Sequence, residues 1–225
     1  MRSSKISALS YQVPDNIFTH KQLQDLYGEE KMDRLAESTG IYSRRVCAKE
    51  EIASDLAFKC ANKILGSQKF SRESIDLIIV ATQMPDYLLP TTACIMQDRL
   101  GLSKNCAAFD INLGCSQFVY AHGVAHSMIS AGLIDRALVI TCDTPSKIID
   151  DKDMTVVPLF GDGATAAILD VTEAGDGYQD FVFGSDGSEH EALIWPKSGL
   201  RDSTNGKVSG REVMTMDGQK IFLFT

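Results

Sequence analysis

Between residues 51 and 65 the apolar side chains fall at Ile52, Leu56, Cys60, Ala61 and Ile64, steps of three and four that gather on one face of a helix. Gly66 follows and ends it. The next apolar run, residues 75–81 (IDLIIVA), is continuous and β-branched, which predicts a short strand covered on both faces. Beyond a loop bracketed by Pro85 and Pro90, residues 91–100 predict a second helix closed by Gly101, and residues 106–112 (CAAFDIN) a second strand. Residues 115–131 then predict a third helix closed by Gly132, and residues 137–142 (ALVITC) a third buried strand. Residues 164–169 (ATAAIL) add a further strand, and the Gly- and Asp-rich stretch 173–188 reads as turns and hairpins. Strands alternating with helices in this way predict an α/β fold: a mixed, mostly parallel sheet with helices on both faces.

The chain has 225 residues, 44% of them hydrophobic and 23% charged, the make-up of an ordinary folded protein. Thirty acidic against twenty-two basic side chains give a net charge of -8, which argues against nucleic acid or an anionic membrane as a partner. The opening MRSSKISALS has no apolar segment of the kind a secretory signal needs, and the expected location is the cytoplasm. The six cysteines are scattered without a C-x-x-C pair, so neither a zinc site nor a disulfide framework is expected.

The stretch Asp110-Ile-Asn-Leu-Gly-Cys115-Ser-Gln-Phe places a cysteine at a sharp strand-to-helix turn. Unpaired backbone N–H groups and the positive end of the helix dipole converge there. Such a field favours a thiolate, and the same N–H groups can stabilise an oxyanion. A buried cysteine that merely packs at a helix start is the structural alternative. His122 and His126 lie on the Cys115 face of the helix, but seven residues of rise put the nearer one about 10 Å along the axis, so both are read as packing or surface residues. His20 and His190 fall in expected loops. Gly161-Asp-Gly163-Ala-Thr-Ala166 matches a G-x-G-x-x-A dinucleotide pattern in letters alone, because the residues after it read as a strand where the motif requires a helix.

Several separated stretches together resemble the β-ketoacyl-acyl-carrier-protein synthase III family of the thiolase fold. They are Gly40-Ile-Tyr-Ser-Arg-Arg-Val46, Ser54-Asp-Leu-Ala57, Asp76-Leu-Ile-Ile-Val-Ala-Thr82, Pro90-Thr-Thr-Ala-Cys94, Ala108-Phe-Asp-Ile-Asn112, Phe160-Gly-Asp-Gly-Ala164 and Met216-Asp-Gly218. The resemblance puts Cys115 at the family's acyl-accepting nucleophile. It implies transfer of an acyl group from a thioester to that cysteine, then decarboxylative condensation with malonyl-acyl carrier protein. Coenzyme A or carrier-protein thioesters are then substrates, and no resident cofactor is implied. It further implies an acyl pocket formed by Leu89, Pro145, Phe160 and Met214, with Leu89 reaching across a homodimer into the partner's pocket. Arg34, Ser38, Met154, Gly218 and Phe222 fall on positions of the pantetheine and donor channel.

Two family residues that clasp the adenine end of coenzyme A are exchanged here for Arg34 and Ser38, and a second family arginine for Met154. The exchanges weaken adenine stacking and phosphate pairing and point to a carrier-bound or unusual acyl starter. Gln117 stands where a glycine is usual and adds bulk beside the nucleophile. Arg44, Arg45 and Lys49 form a small basic cluster that could meet an acidic carrier or simply be a solvated edge.

The resemblance also implies that the family's histidine and asparagine lie beyond Thr225. Residues 217–225 read as a cap and the first turns of an unfinished helix. The expectation is therefore a thiolase-like half over residues 1–171, with 172–225 as a connecting segment leading into a second half. Two further functions remain open at this point: a family acyltransferase that does not decarboxylate, and a truncated, non-catalytic dimerisation or partner chain.

Overall fold

A computed structural model of the chain describes residues 2–67, 69–173, 175–177, 180–196, 198–199 and 213–224. The strands are β1 (Arg2–Gln12), β2 (Ile17–Thr19), β3 (Ser43–Arg45), β4 (Leu77–Ala81), β5 (Ala107–Ile111), β6 (Arg136–Asp143), β7 (Gly163–Glu173), β8 (Leu193–Ile194) and β9 (Thr215–Met216). The helices are α1 (His20–Tyr27), α2 (Glu29–Thr39), α3 (Ala53–Leu65), α4 (Thr92–Arg99), α5 (Gln117–Ser130) and α6 (Gly218–Phe224). They sort into two compact units, one made of Met1–Pro14, Cys47–Asp143 and Gly163–Phe183, the other of Asp15–Val46, Thr144–Asp162 and Gly184–Thr225.

The first unit is built on a five-stranded sheet in the order β1-β7-β6-β4-β5. β4 runs parallel to both β5 and β6, whereas β7 is antiparallel to β6 and to β1. All five residues of β4 are buried, which explains its unbroken apolar run: a strand covered on both faces has no polar side. One set of alternate residues, Ile78, Val80, Leu138, Ile140, Ala166 and Ile168 among them, shares a core with Leu56, Cys60 and Ile64 of α3 and Met96 of α4. The other set, including Leu77, Ile79, Val139 and Leu169, packs with Ala121, Ala125 and Ile129 of α5. Helices therefore cover both faces.

The expected helices and strands of this unit are present, with ends shifted by a few residues, and β7 extends to Glu173. Gly163 opens β7 and not a helix, which removes the dinucleotide reading. β1 was not anticipated. Stretch 173–188 forms no hairpin among its described residues; instead Leu193–Ile194 pairs with Thr215–Met216 in the second unit.

In the second unit, β2 and β3 form a short antiparallel ladder. Thr19 caps α1, its Oγ1 accepting from Gln22 N–H (3.3 Å) while Gln22 Oε1 accepts from Thr19 N–H (2.8 Å). Leu23, Met32 and Val157 form a small core, against which Phe18, Leu35 and Met154 pack. Arg44 is buried, its guanidinium 4.7 Å from the Phe18 ring centre and donating to the Phe160 carbonyl at 3.1 Å. Asp217 accepts from the N–H groups of Gln219 (3.1 Å) and Lys220 (3.3 Å), and so caps α6 as its sequence predicts.

Candidate active site

β5, β4 and β6 end side by side, and their carboxyl ends are where open α/β sheets place ligands. The chain leaves β5 at Ile111, passes through Leu113, whose N–H donates to the Ile111 carbonyl (3.1 Å), and turns at Gly114 into α5. The turn closes with Gln117 N–H donating to the Gly114 carbonyl at 2.9 Å. Cys115 stands on this turn and is exposed. α5 starts two residues later than expected, with Ser116 as its N-cap. That difference moves Cys115 off the helix and onto the loop that leads into it.

The N-terminus of α5 is unguarded. No side chain caps it, and its first turn carries no acidic residue. The amide of Gln117 is taken by the Gly114 carbonyl; the two that follow have no partner within the helix and are the ones that can serve a ligand. Cys60, Cys106 and Cys142 are buried, and burial pushes their thiols up, to about 12 for Cys60 and about 11 for Cys106. Cys94 is exposed on α4, and Cys47 is half-buried.

Polar groups cluster beside the turn. Asp143, at the end of β6, accepts from Thr82 Oγ1 (3.0 Å) and Gln83 N–H (2.9 Å) on Oδ1, and from Gln117 Nε2 (3.0 Å) on Oδ2. Burial pushes its carboxyl above the usual range, and these donors pull it part of the way back. The Gln117 Oε1 atom is buried with no hydrogen-bond partner among the described residues. The end of the Gln83 side chain lies against Gly114: a Cβ there would lie 2.4 Å from Gln83 Oε1. Sequence reading singled out Cys115 and Gln117 but missed Asp143, Thr82 and Gln83, whose role depends on the pairing of β4 with β6.

His122 is buried on α5 between Phe118 and Phe181, with ring centres 5.8 and 5.3 Å away. Burial, with a smaller contribution from His126, lowers its pKa to about 4. His126 shares a hydrogen bond with Ser4 Oγ (2.9 Å). Both are packing residues, as expected. His20 pairs with Asp33 at 2.7 Å in the second unit.

Leu89 is 87% exposed in the loop before α4, next to the exposed Leu88. The other acyl-pocket and channel positions lie in the second unit. Pro145 is buried there, Phe160 is half-buried, and Met214 is buried with its N–H donating to the Ile148 carbonyl at 2.7 Å. Arg34 is ion-paired with Glu30 one turn away on α2, and Ser38 Oγ donates to the Leu35 carbonyl at 2.9 Å. Met154 packs against the core of Leu23, Met32 and Val157. Gly218 begins α6, and the side chain of Phe222 lies outside the described residues.

The chain is similar to known proteins in sequence and in fold. A sequence profile of 3-oxoacyl-[acyl-carrier-protein] synthase III matches residues 109–187, the segment that carries Cys115 and Asp143. The β-ketoacyl-[acyl-carrier-protein] synthase III of Fusobacterium nucleatum is 36% identical over all of this chain and 68% of its own length. That of Clostridium perfringens is 37% identical over the same shares. Among solved structures, the 3-oxoacyl-(acyl-carrier protein) synthase from Burkholderia xenovorans superposes with a TM-score of 0.90 at 30% identity, covering 100% of this chain and 66% of the other. The synthase III from Thermus thermophilus gives 0.85 at 35% identity, covering 97% and 67%. The chain thus spans about two thirds of the length of these relatives. Its sheet and flanking helices are those of the thiolase-like fold, and the chain belongs to the β-ketoacyl-acyl-carrier-protein synthase III family of condensing enzymes.

Proposed function

We propose that this chain carries the nucleophile of a 3-oxoacyl-acyl-carrier-protein synthase III. The observation that supports this most directly is the exposed Cys115 on the turn before the uncapped N-terminus of α5. In the first step the Cys115 sulfur, as thiolate, attacks the carbonyl of an acyl thioester. The tetrahedral oxyanion is held by amides of the turn, a kind of contact of which one donor is commonly worth about 10²–10³ in rate. The bond from carbonyl to carrier sulfur then breaks, the carrier thiol takes up a proton, and Cys115 keeps the acyl group. In the second step a malonyl group on acyl carrier protein loses carbon dioxide. Its carbanion forms a carbon–carbon bond with the acyl carbonyl, and Cys115 leaves as thiolate.

Acyl carrier protein is the proposed partner, and coenzyme A or carrier thioesters are the proposed donors, with no resident cofactor. Ser38 and Met154, which carry no charge to pair with a phosphate, favour a carrier-bound donor. The exposure of Leu89 supports a homodimer in which it meets a second copy.

The test is to incubate the chain with radiolabelled acyl thioesters, on coenzyme A and on carrier protein, and separate it on a denaturing gel. Label on the wild type and none on Cys115→Ala is expected; equal label on both would overturn the proposal.

A further inference from the structure

Asp143 receives three donors, two from one chain segment and one from another, both distant from it in sequence. Thr82 and Gln83 leave the carboxyl end of β4, Gln117 opens α5, and Asp143 itself ends β6. Two separate routes connect it to the turn that bears Cys115. One is direct, through Gln117 Nε2 at 3.0 Å, two residues past the cysteine. The other passes through Gln83: its N–H is held by Asp143 Oδ1 at 2.9 Å, and its side chain lies against Gly114, filling the space a Cβ would take. The β4 exit is fixed in turn, because Thr82 N–H donates to the Ile111 carbonyl at 3.0 Å and Thr82 Oγ1 accepts from Met84 N–H at 2.9 Å. A carboxylate with both oxygens engaged thus joins the ends of three strands to the residues on either side of the nucleophile.

We propose that Asp143 is a positioning residue for Cys115, acting through Gln117 and Gln83 to hold the Gly114–Ser116 turn in the conformation that presents the sulfur to an acyl donor. It does not touch the donor. The inference rests on the acyl-transfer reading of Cys115, and its chemistry dictates an unusual substitution pattern. An asparagine at 143 keeps one acceptor oxygen for Thr82 and Gln83, and the Gln117 amide can turn over to accept from the new NH₂, so the connection survives. A leucine at 117 or 143 cannot make it.

The experiment compares wild type with Asp143→Asn, Asp143→Leu and Gln117→Leu by two measurements. The first is the rate of acyl transfer to Cys115 as a function of donor concentration. The second is hydrogen exchange of a peptide spanning residues 112–120, which needs no acyl donor. Gln117→Leu is expected to lower the saturating rate at least tenfold with the half-saturating donor concentration changed less than twofold, and to speed exchange in that peptide. Asp143→Asn is expected to stay within threefold of wild type in both. Asp143→Leu should match Gln117→Leu, provided its circular dichroism is native; if it is not, Gln117→Leu carries the test. Unchanged exchange and unchanged transfer in Gln117→Leu would overturn the proposal, as would a tenfold loss in Asp143→Asn with Gln117→Leu unaffected. A wild type that takes no acyl group but shows the expected exchange pattern would overturn the acyl-transfer reading and leave Asp143 as the residue that orders the turn.

Discussion

His122 makes acid stability a quantitative test of the packing around α5. Its ring is 3% exposed and faces Phe118, Phe181 and His126, so the folded protein holds it neutral. Unfolding releases it to water, where it takes a proton below its ordinary value of 6.5. Its folded value is depressed, so the stabilisation is complete above pH 6.5, declines as the pH falls, and is gone by about pH 4. From 6.5 down to about 4, at about 1.4 kcal/mol per pH unit, the loss comes to about 3 kcal/mol. That is a large part of the roughly 5–15 kcal/mol by which domains are usually stable. The assay is urea unfolding at half-unit steps from pH 7.5 to 4.5, on wild type and on His122→Phe, whose ring fills the same space and cannot titrate. The wild type should lose stability more steeply by about 1 kcal/mol per pH unit between pH 6 and 4.5. Parallel curves for the two proteins would refute the burial argument, as would a His122 imidazole that titrates near 6.5 by NMR.

Brief treatment with iodoacetamide at pH 7.5 should modify Cys94 and Cys115 first, Cys47 slowly, and Cys60, Cys106 and Cys142 only after unfolding, because burial raises those three thiols and closes them to reagent; peptide mass spectrometry reads the order. Gly123→Ala should change stability by less than about 1 kcal/mol. The new Cβ would come within 2.6 Å of the outer edge of the Phe183 ring, but that ring is half exposed and can swing away, while alanine favours the helix by up to about 1 kcal/mol. Urea unfolding checks it, and a loss above 2 kcal/mol would mean that Phe183 is fixed on α5.

The parts of the fold legible in the sequence are those in which one face or both are sealed. The run of β4 and the helical spacing of α3 follow directly from the two cores they enter. β1 escaped notice because it is an edge strand with serine at four of its positions, and an irregularity between Ile6 and Ala8 breaks the two-residue alternation. α1 and α2 are short and polar and were not among the expected helices, although the Thr19–Gln22 capping pair and the glycines at 28 and 40 mark their ends. Cys115 was legible because a local turn creates its environment. Asp143 was not, because its partners Thr82 and Gln117 lie 61 and 26 residues away in the chain and meet it only through the sheet's strand order.

The same strand order decides where the molecule can vary. With α3 and α4 on one side of β4 and α5 on the other, residues 77–81 have no face left on which a polar side chain could rest. A random library over this strand should therefore return only other apolar combinations. One over Tyr87, Leu88 and Leu89, which are all exposed, should tolerate almost any letter as far as folding is concerned. Under the proposed dimer contact of Leu89, selection for a new acyl preference would work on that loop while β4 stays fixed.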